Sequence, residues 1–234
     1  MWKYENATTI QASRLTKRGT LGRRSLPRVD KNIDLSEYLF ELATQPEAWS
    51  ITEFFDNDAP IEFEVGSGKG LFMQTAATDH PDRNFVGIEI AGKYARFAAA
   101  KLARRGLANA KMLHGDAMRM IQNNIPDESL AAVHVYFPDP WWKKRHFKRR
   151  IMNDLFLKRV QQVLKPGGEL HFWTDVEEYF DSAIEQVAES TSLDGPIEVS
   201  EKPAEHDLDY RTHFERRMRK HGESVYRSLY KKSI

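Results

Sequence analysis

Apolar and polar positions along this chain fall into two alternating periods. Five short apolar runs, IEFEV (61–65), NFVGIEI (84–90), AKMLHG (110–115), AAVHVYF (131–137) and GELHFWT (168–174), read as strands. Helical spacing separates them: from Leu71 to Ala77, over 93–106 with Gly106 as the stop, over 117–123, and from Ile151 to a Pro166-Gly167-Gly168 ending. Strands alternating with helices predict βαβ units, so the expected fold class is α/β, a mostly parallel twisted sheet with helices on both faces. A helical segment is expected over 34–55, before the first strand, and edge strands at IEVS (197–200) and SVYRSLYK (224–231). Residues 1–31 show neither period and read as a mobile arm. The expected organisation is a basic flexible arm over 1–33 and one domain over 34–234.

Composition narrows the classes. At 234 residues and 41% hydrophobic the chain has enough apolar material for a real core, which excludes a disordered or fibrous protein. No stretch approaches the roughly 20 apolar residues of a membrane span, and the first residues lack an apolar leader, so a soluble cytoplasmic protein is expected. With no cysteine, disulfides, thiolate zinc sites and cysteine nucleophiles drop out. The eight histidines have no metal-ligand spacing, so no metal is expected. No G-x-S-x-G elbow supports a serine hydrolase.

The net charge of +1 hides a pattern. Residues 1–31 carry eight Lys/Arg and two acids, 143–150 six and none, and 211–232 eight and two, so three segments hold +18 and the other 173 residues −17. Basic runs on an acidic body point to a nucleic-acid partner. The three runs are expected to converge on one face around Asp139.

Ligands of open parallel sheets bind at the carboxyl ends of strands, which directs attention to Glu64 through Gly70, Glu89, Asp116, Asp139 and Asp175. Glu64-Val-Gly66-Ser-Gly68-Lys-Gly70 opens a helix after a strand and lets a ligand approach backbone closely. Its Lys69 is followed by Gly70, so it is no Walker loop, and Leu71 departs from the dinucleotide fingerprint. Glu89, 19 residues past Gly70, sits where an acid accepts from a ribose diol, which favours an adenosine-bearing ligand. Asp116 is placed either to meet an adenine edge or to cap the helix after it, and the two roles are compatible.

The stretch from Val135 to Arg150, VYFPDPWWKKRHFKRR, is the most informative. Pro138 and Pro140 bracket Asp139 and stiffen its turn, keeping residues 137 and 139 out of the right-handed helical region. Trp141 and Trp142 followed by six cations suit RNA, with bases stacking and phosphates paired to Arg and Lys. Thr174-Asp175 and Thr212-His213-Phe214-Glu215 admit plainer readings as caps or a surface helix start.

Together E-V-G-S-G-K-G, G-I-E-I, G-D-A, F-P-D-P-W with K-K-R-H-x-K-R-R, G-G-E-L-H-F-W-T-D and T-x-F-E-R resemble the bacterial tRNA (guanine-N7-)-methyltransferases, over roughly residues 60–230. The resemblance implies a Rossmann-like class I methyltransferase fold, S-adenosyl-L-methionine as methyl donor and tRNA as partner, with guanine 46 of the variable loop as target. It implies donor binding by Glu64, Gly66, Gly68, Glu89, Asp116 and Asp139, with Asp139 also at the reaction site. Lys143, Asp175, Thr212, His213, Phe214 and Glu215 match positions assigned to substrate. Arg145, His146, Phe147, Lys148, Arg149 and Arg150 match the RNA-contacting run. Two positions depart from the family: Trp142 stands where proline is usual, and Phe147 where a second histidine is common. No protein partner is signalled, and a monomer is expected. Two other readings are a nicotinamide-dependent oxidoreductase, disfavoured by Leu71, and a catalytically silent RNA-binding module, disfavoured by the intact strand-end acids.

Overall fold

A computed structural model describes residues 26–201 and 203–234. Eight strands form one sheet: β1 (Leu39–Glu41), β2 (Ile61–Val65), β3 (Asn84–Glu89), β4 (Ala110–His114), β5 (Leu130–Tyr136), β6 (Leu164–Thr174), β7 (Asp194–Glu198) and β8 (Tyr226–Lys231). Their order is β1-β4-β3-β2-β5-β6-β8-β7, with β8 antiparallel to both its neighbours and every other pairing parallel. The chain winds outward from β2 through β3 to β4, then returns to lay β5 on the other side of β2. That reversal is the switch point at which doubly wound sheets bind ligands.

Six helices cover the faces: α1 (Leu71–Asp79), α2 (Gly92–Arg105), α3 (Ala117–Asn123), α4 (Asp154–Val163), α5 (Glu177–Ser190) and α6 (His213–Lys220). Strand β2 shows how the two layers divide. Ile61, Phe63 and Val65 join the core beneath α3, α4 and α5, whereas Glu62 and Glu64 point to the face covered by α1 and α2. Burial of all five β2 residues follows from helices on both sides.

Two expectations change, and one helix is added. Over 34–55 the structure has β1 on the edge beside β4 and two single-turn 3-10 helices, Leu42–Thr44 and Ile51–Phe54, in place of one helix. Pro46 breaks any longer run, and Ser50 with Glu53 closes a capping box that restarts the chain locally. Helix α4 stops at Val163, and Pro166-Gly167-Gly168 lies inside β6, where the pairing with β5 jumps from Leu130–Leu164 to Ala132–Glu169. A proline without an N–H and two glycines suit that irregularity. Helix α5 has no counterpart among the expected elements, although Tyr179, Ala183 and Val187 mark its buried face at helical spacing.

Candidate functional site

The glycine turn is built by the first strand pair. Gly66 and Ser67 both donate to the Ile88 carbonyl, at 2.9 and 3.0 Å, so the chain turns sharply at the end of β2. Gly66 has a φ of +74° with nothing within 4 Å of where a Cβ would lie, so its backbone faces open space. Gly70 is glycine for another reason: a Cβ would sit 2.6 Å from Ala98 Cβ, where α2 crosses the turn.

Carboxylates surround this turn. Glu89 accepts from Gly68 N and Ala91 N, each at 2.9 Å, and so braces the glycine turn against the start of α2. Glu64 is buried, and its Oε2 has no hydrogen-bond partner among the described residues. Burial pushes its carboxyl up to about 8; the Ser67 hydroxyl opposes the rise and the Glu89 charge adds to it. An unpartnered buried oxygen is costly and calls for a ligand donor. Asp116 caps α3, accepting from Arg119 N at 3.1 Å, at the end of the strand next to Glu89.

A cleft of about 970 Å³ opens over the turn, lined by Glu64, Gly66, Ser67 and Gly68, by Tyr94, Phe97 and Lys101 of α2, by Tyr136 and Phe137 at the end of β5, and by Thr212, His213 and Phe214 at the start of α6. Leu26 and Pro27 also line it, so the described end of the basic arm reaches the cleft; residues 1–25 lie outside the described residues. The cleft thus sits at the β2/β5 switch point.

Asp139 is exposed on a turn flanked by two strained residues, Phe137 at φ +50° and Trp141 at φ +46°. Pro138 therefore keeps residue 137 out of the right-handed helical region by way of the left-handed one. Such backbone costs about 1–3 kcal/mol per residue and persists only where the surroundings enforce it. They do so here. Phe137 N donates to Trp173 O at 2.8 Å, and its ring packs on Phe214 at 4.9 Å between centroids. Arg150 Nε donates to Pro140 O at 2.8 Å while its terminal nitrogens bind both carboxylate oxygens of Glu178, at 3.2 and 2.9 Å, and Ser182 Oγ at 3.2 Å. The guanidinium also stacks on Phe147 at 3.7 Å and Tyr179 at 4.5 Å.

Arg150 is therefore a correction. Expected in the RNA-contacting run, it is 5% exposed and fully engaged within the protein. Arg145, Lys148 and Arg149 of the same run are exposed, as is Lys143, expected at substrate, and His146 and Phe147 are half-buried. Arg149 stands 5.0 Å from the Trp141 ring. Glu215 is a second correction: the side chain expected to meet substrate is 2% exposed, accepting from Arg211 N at 2.7 Å, Arg219 at 3.3 Å and Arg227 at 3.2 Å. With Glu201, which pairs to Arg219 and Arg227 at 3.0 Å, it ties α6 to β8. Thr212 caps α6 through Glu215 N and still lines the cleft, as do His213 and Phe214. Asp175 is half-buried just past the end of β6, beside the turn that carries Asp139.

The basic runs do not all converge. Segments 143–150 and 211–220 lie at the carboxyl edge of the parallel strands. Antiparallel β8 then carries Lys231 to the opposite edge, against Glu169, and Lys232 pairs there with Glu128. Among the described residues no cluster of three or more His, Asp or Glu can hold a metal ion, and no helix is long and apolar enough to cross a membrane.

A doubly wound sheet with a glycine turn, an acid ending the next strand and an open cleft at the switch point defines a nucleotide-ligand-binding α/β protein. Comparison with known proteins makes this specific. A methyltransferase family model matches residues 58–228. A tRNA (guanine-N(7)-)-methyltransferase of Rhodopirellula baltica is 48% identical over 216 residues, covering 90% of this chain and 80% of that one. One from Alcanivorax borkumensis is 38% identical over 181 residues, 76% and 74% of the two chains. The chain belongs to the tRNA (guanine-N7-)-methyltransferase family. Similar solved structures include the aminoglycoside resistance methyltransferase NpmB1 (TM-score 0.47, 19% identity, 74% of this chain and 87% of that one). Another is an S-adenosylmethionine-dependent O-methyltransferase from Thermotoga maritima (TM-score 0.48, 14% identity, 75% and 60%).

Proposed function

We propose that this chain methylates N7 of a guanine in tRNA, guanine 46 of the variable loop, with S-adenosyl-L-methionine as donor, acting as a cytoplasmic monomer. The observation that carries the reading is that the glycine turn with the unpartnered Glu64 oxygen follows β2, and the rigid turn bearing Asp139 follows the adjacent β5, its first residue Phe137 lining the same cleft.

The residues fit the donor. The Glu64 oxygen lacking a partner suits its ammonium group, the open space over Gly66 and Gly68 admits it against backbone, and Glu89 is placed to accept from ribose hydroxyls. Asp116 holds the neighbouring strand end, where adenine would lie. The donor supplies an electrophilic methyl group on a sulfonium.

Guanine N7 carries an in-plane lone pair, so no residue need remove a proton before attack and no covalent intermediate is required. Alignment alone supplies about 7–11 kcal/mol when the reacting atoms are held at near-attack distance. Asp139 and Asp175 accept from guanine N1–H and the exocyclic amine, which rejects adenine and offsets positive charge growing on the ring. Lys143 meets O6 or a phosphate, and Thr212, His213 and Phe214 form the opposite wall. The exposed Arg145, Lys148 and Arg149, with the ring of Trp141, carry the RNA strand, and the target base leaves its stack to enter. The basic arm over 1–33 adds phosphate contacts.

The test is to incubate the protein with unmodified tRNA and labelled donor and map the product. N7-methylguanine at one position is expected; a folded protein that leaves competent tRNA unmodified sinks the reading. Asp139→Asn is expected to lower kcat by about 100-fold or more at saturating tRNA.

A further inference from the structure

The wall of the cleft made by α2 and α6 carries charge that the donor and guanine assignments leave unused. Lys69, Lys101, Arg216, Arg217 and Lys220 line it, with Glu64 and Asp207 as the facing carboxylates. Asp207 belongs to the coil between β7 and α6 and is exposed, yet both its oxygens are engaged at the cleft mouth. Oδ2 accepts from an Arg216 terminal nitrogen at 2.8 Å and Oδ1 from Lys220 Nζ at 2.6 Å. Arg216 and Lys220 are one turn apart on α6, so their heads meet over one anion. Behind them Lys101 Nζ lies 3.2 Å from His213 Nε2 and donates to Lys69 O at 3.0 Å. Burial and the cations Lys101, Arg216 and Lys69 push the imidazole down to about 4, so His213 is neutral and accepts from Lys101.

This arrangement gathers positive charge at the mouth of the cleft, and one exposed carboxylate answers two of its cations. Two cations that each hold one oxygen of a carboxylate present the same donor geometry to two oxygens of a phosphodiester. We infer that Arg216 and Lys220, backed by Lys101, form a phosphate subsite for the RNA backbone, and that Asp207 is a built-in stand-in which the phosphate displaces.

The coil supports such an exchange. Asp209 Oδ2 accepts from Glu205 N and His206 N at 2.7 and 2.6 Å, so the turn carrying Asp207 keeps its own shape without the cleft. Withdrawal of Asp207 breaks no strand or helix. A phosphodiester and an aspartate each carry one negative charge, so the swap leaves the local charge unchanged. What the RNA adds is the rest of its contacts, which the carboxylate lacks. Asp207 then acts as a threshold: a free phosphate in solution competes poorly with a tethered carboxylate, whereas a phosphate presented by a docked tRNA does not.

The inference rests on tRNA being the substrate, and its test is arranged to keep the two apart. Asp207→Asn removes the competing charge and is expected to tighten tRNA binding about two- to fivefold, with affinity for S-adenosylhomocysteine unchanged. Arg216→Gln with Lys220→Gln is expected to weaken tRNA binding and lower the steepness of log K against log salt by about one phosphate contact. Inorganic phosphate at millimolar concentration is expected to leave S-adenosylhomocysteine binding unaltered. A purely structural clasp predicts the opposite sign, looser tRNA binding in Asp207→Asn, and that result overturns the inference. So does an unchanged salt slope in the double variant, which decides the matter even where Asp207→Asn fails to fold. Tighter S-adenosylhomocysteine binding in Asp207→Asn assigns the cations to the donor's carboxylate and overturns it as well. If the wild-type protein methylates tRNA while these variants miss, the subsite alone is wrong. If it neither binds nor methylates tRNA, subsite and substrate reading fall together.

Discussion

Glu64 shows how one side chain couples ligand binding to protonation. Its folded-state value of about 8 lies above the ordinary 4.5, so the donor-free protein holds the carboxyl neutral at pH 7. The stability this group contributes is full below about 4.5 and is lost as pH rises towards 8, because the folded state binds the extra proton throughout that window. Glu64→Gln should therefore lose less melting temperature than wild type between pH 5 and 8. The ligand's ammonium group favours the ionised carboxyl, so titrations of S-adenosylhomocysteine, which keeps that group, should show affinity rising from pH 6 towards 8. In Glu64→Gln binding should be weaker by about tenfold or more and flat with pH. An acid at a strand end before a glycine turn is legible from sequence, and so was this residue. Glu215 was not: its place in T-H-F-E-R-R looks like a surface helix start, and only the fold brings Arg219 and Arg227 to its buried oxygens.

Among the elements, the turn from Phe137 to Trp142 depends on support that sequence spacing conceals. KKRHFKRR reads as one homogeneous basic run, yet it folds as a 3-10 helix, Lys144–Arg149, whose end turns Arg150 inward to the Pro140 carbonyl. Seven of its eight side chains remain at least partly exposed, and the eighth positions the Asp139 turn. The two neighbours should separate experimentally. Arg149→Gln is expected to weaken tRNA binding and flatten the salt slope by about one phosphate contact, with kcat at saturating tRNA near wild type. Arg150→Lys keeps the charge but loses the three-sided donation, so it should lower kcat at saturating tRNA and leave the salt slope unchanged. The strands at the switch point were legible because buried parallel strands are continuous apolar runs. The segment 34–55 was not, because its apolar residues serve the edge strand β1 and two 3-10 turns that share helical spacing over short distances.

Across the whole molecule a polar chain runs along one face of the sheet beneath the cleft, buried from Glu62 to Tyr136. Arg83 binds Glu62 at 2.6 Å, Glu62 accepts from His134 Nε2 at 2.7 Å, and His134 Nδ1 accepts from the Tyr136 hydroxyl at 2.9 Å, with Tyr136 lining the cleft. Burial pushes His134 down to about 4, while the hydrogen bonds from His134 and Arg83 overcome burial and hold Glu62 at about 2. Both values lie below the ordinary 6.5 and 4.5, so the unfolded chain binds more protons in acid. Stability should fall as pH drops from about 6.5 towards 4 through His134, and further below 4.5 through Glu62. Thermal melts should show a smaller loss between pH 7 and 5 for His134→Gln than for wild type. Charge at this scale was only half legible: sequence counts located the basic runs, but the reversal of β8 that sends Lys231 and Lys232 to the far edge is a property of topology. The same strand has a consequence for biosynthesis. Among the described residues, strand β7 joins the sheet only through β8, and β6 has β8 as its outer neighbour. Until residues 226–231 emerge from the ribosome, the nascent chain presents β6 as an open edge and β7 as a strand without a partner. This enzyme thus completes its sheet only once β8 has emerged, and the interval before closure is when a chaperone has most to protect.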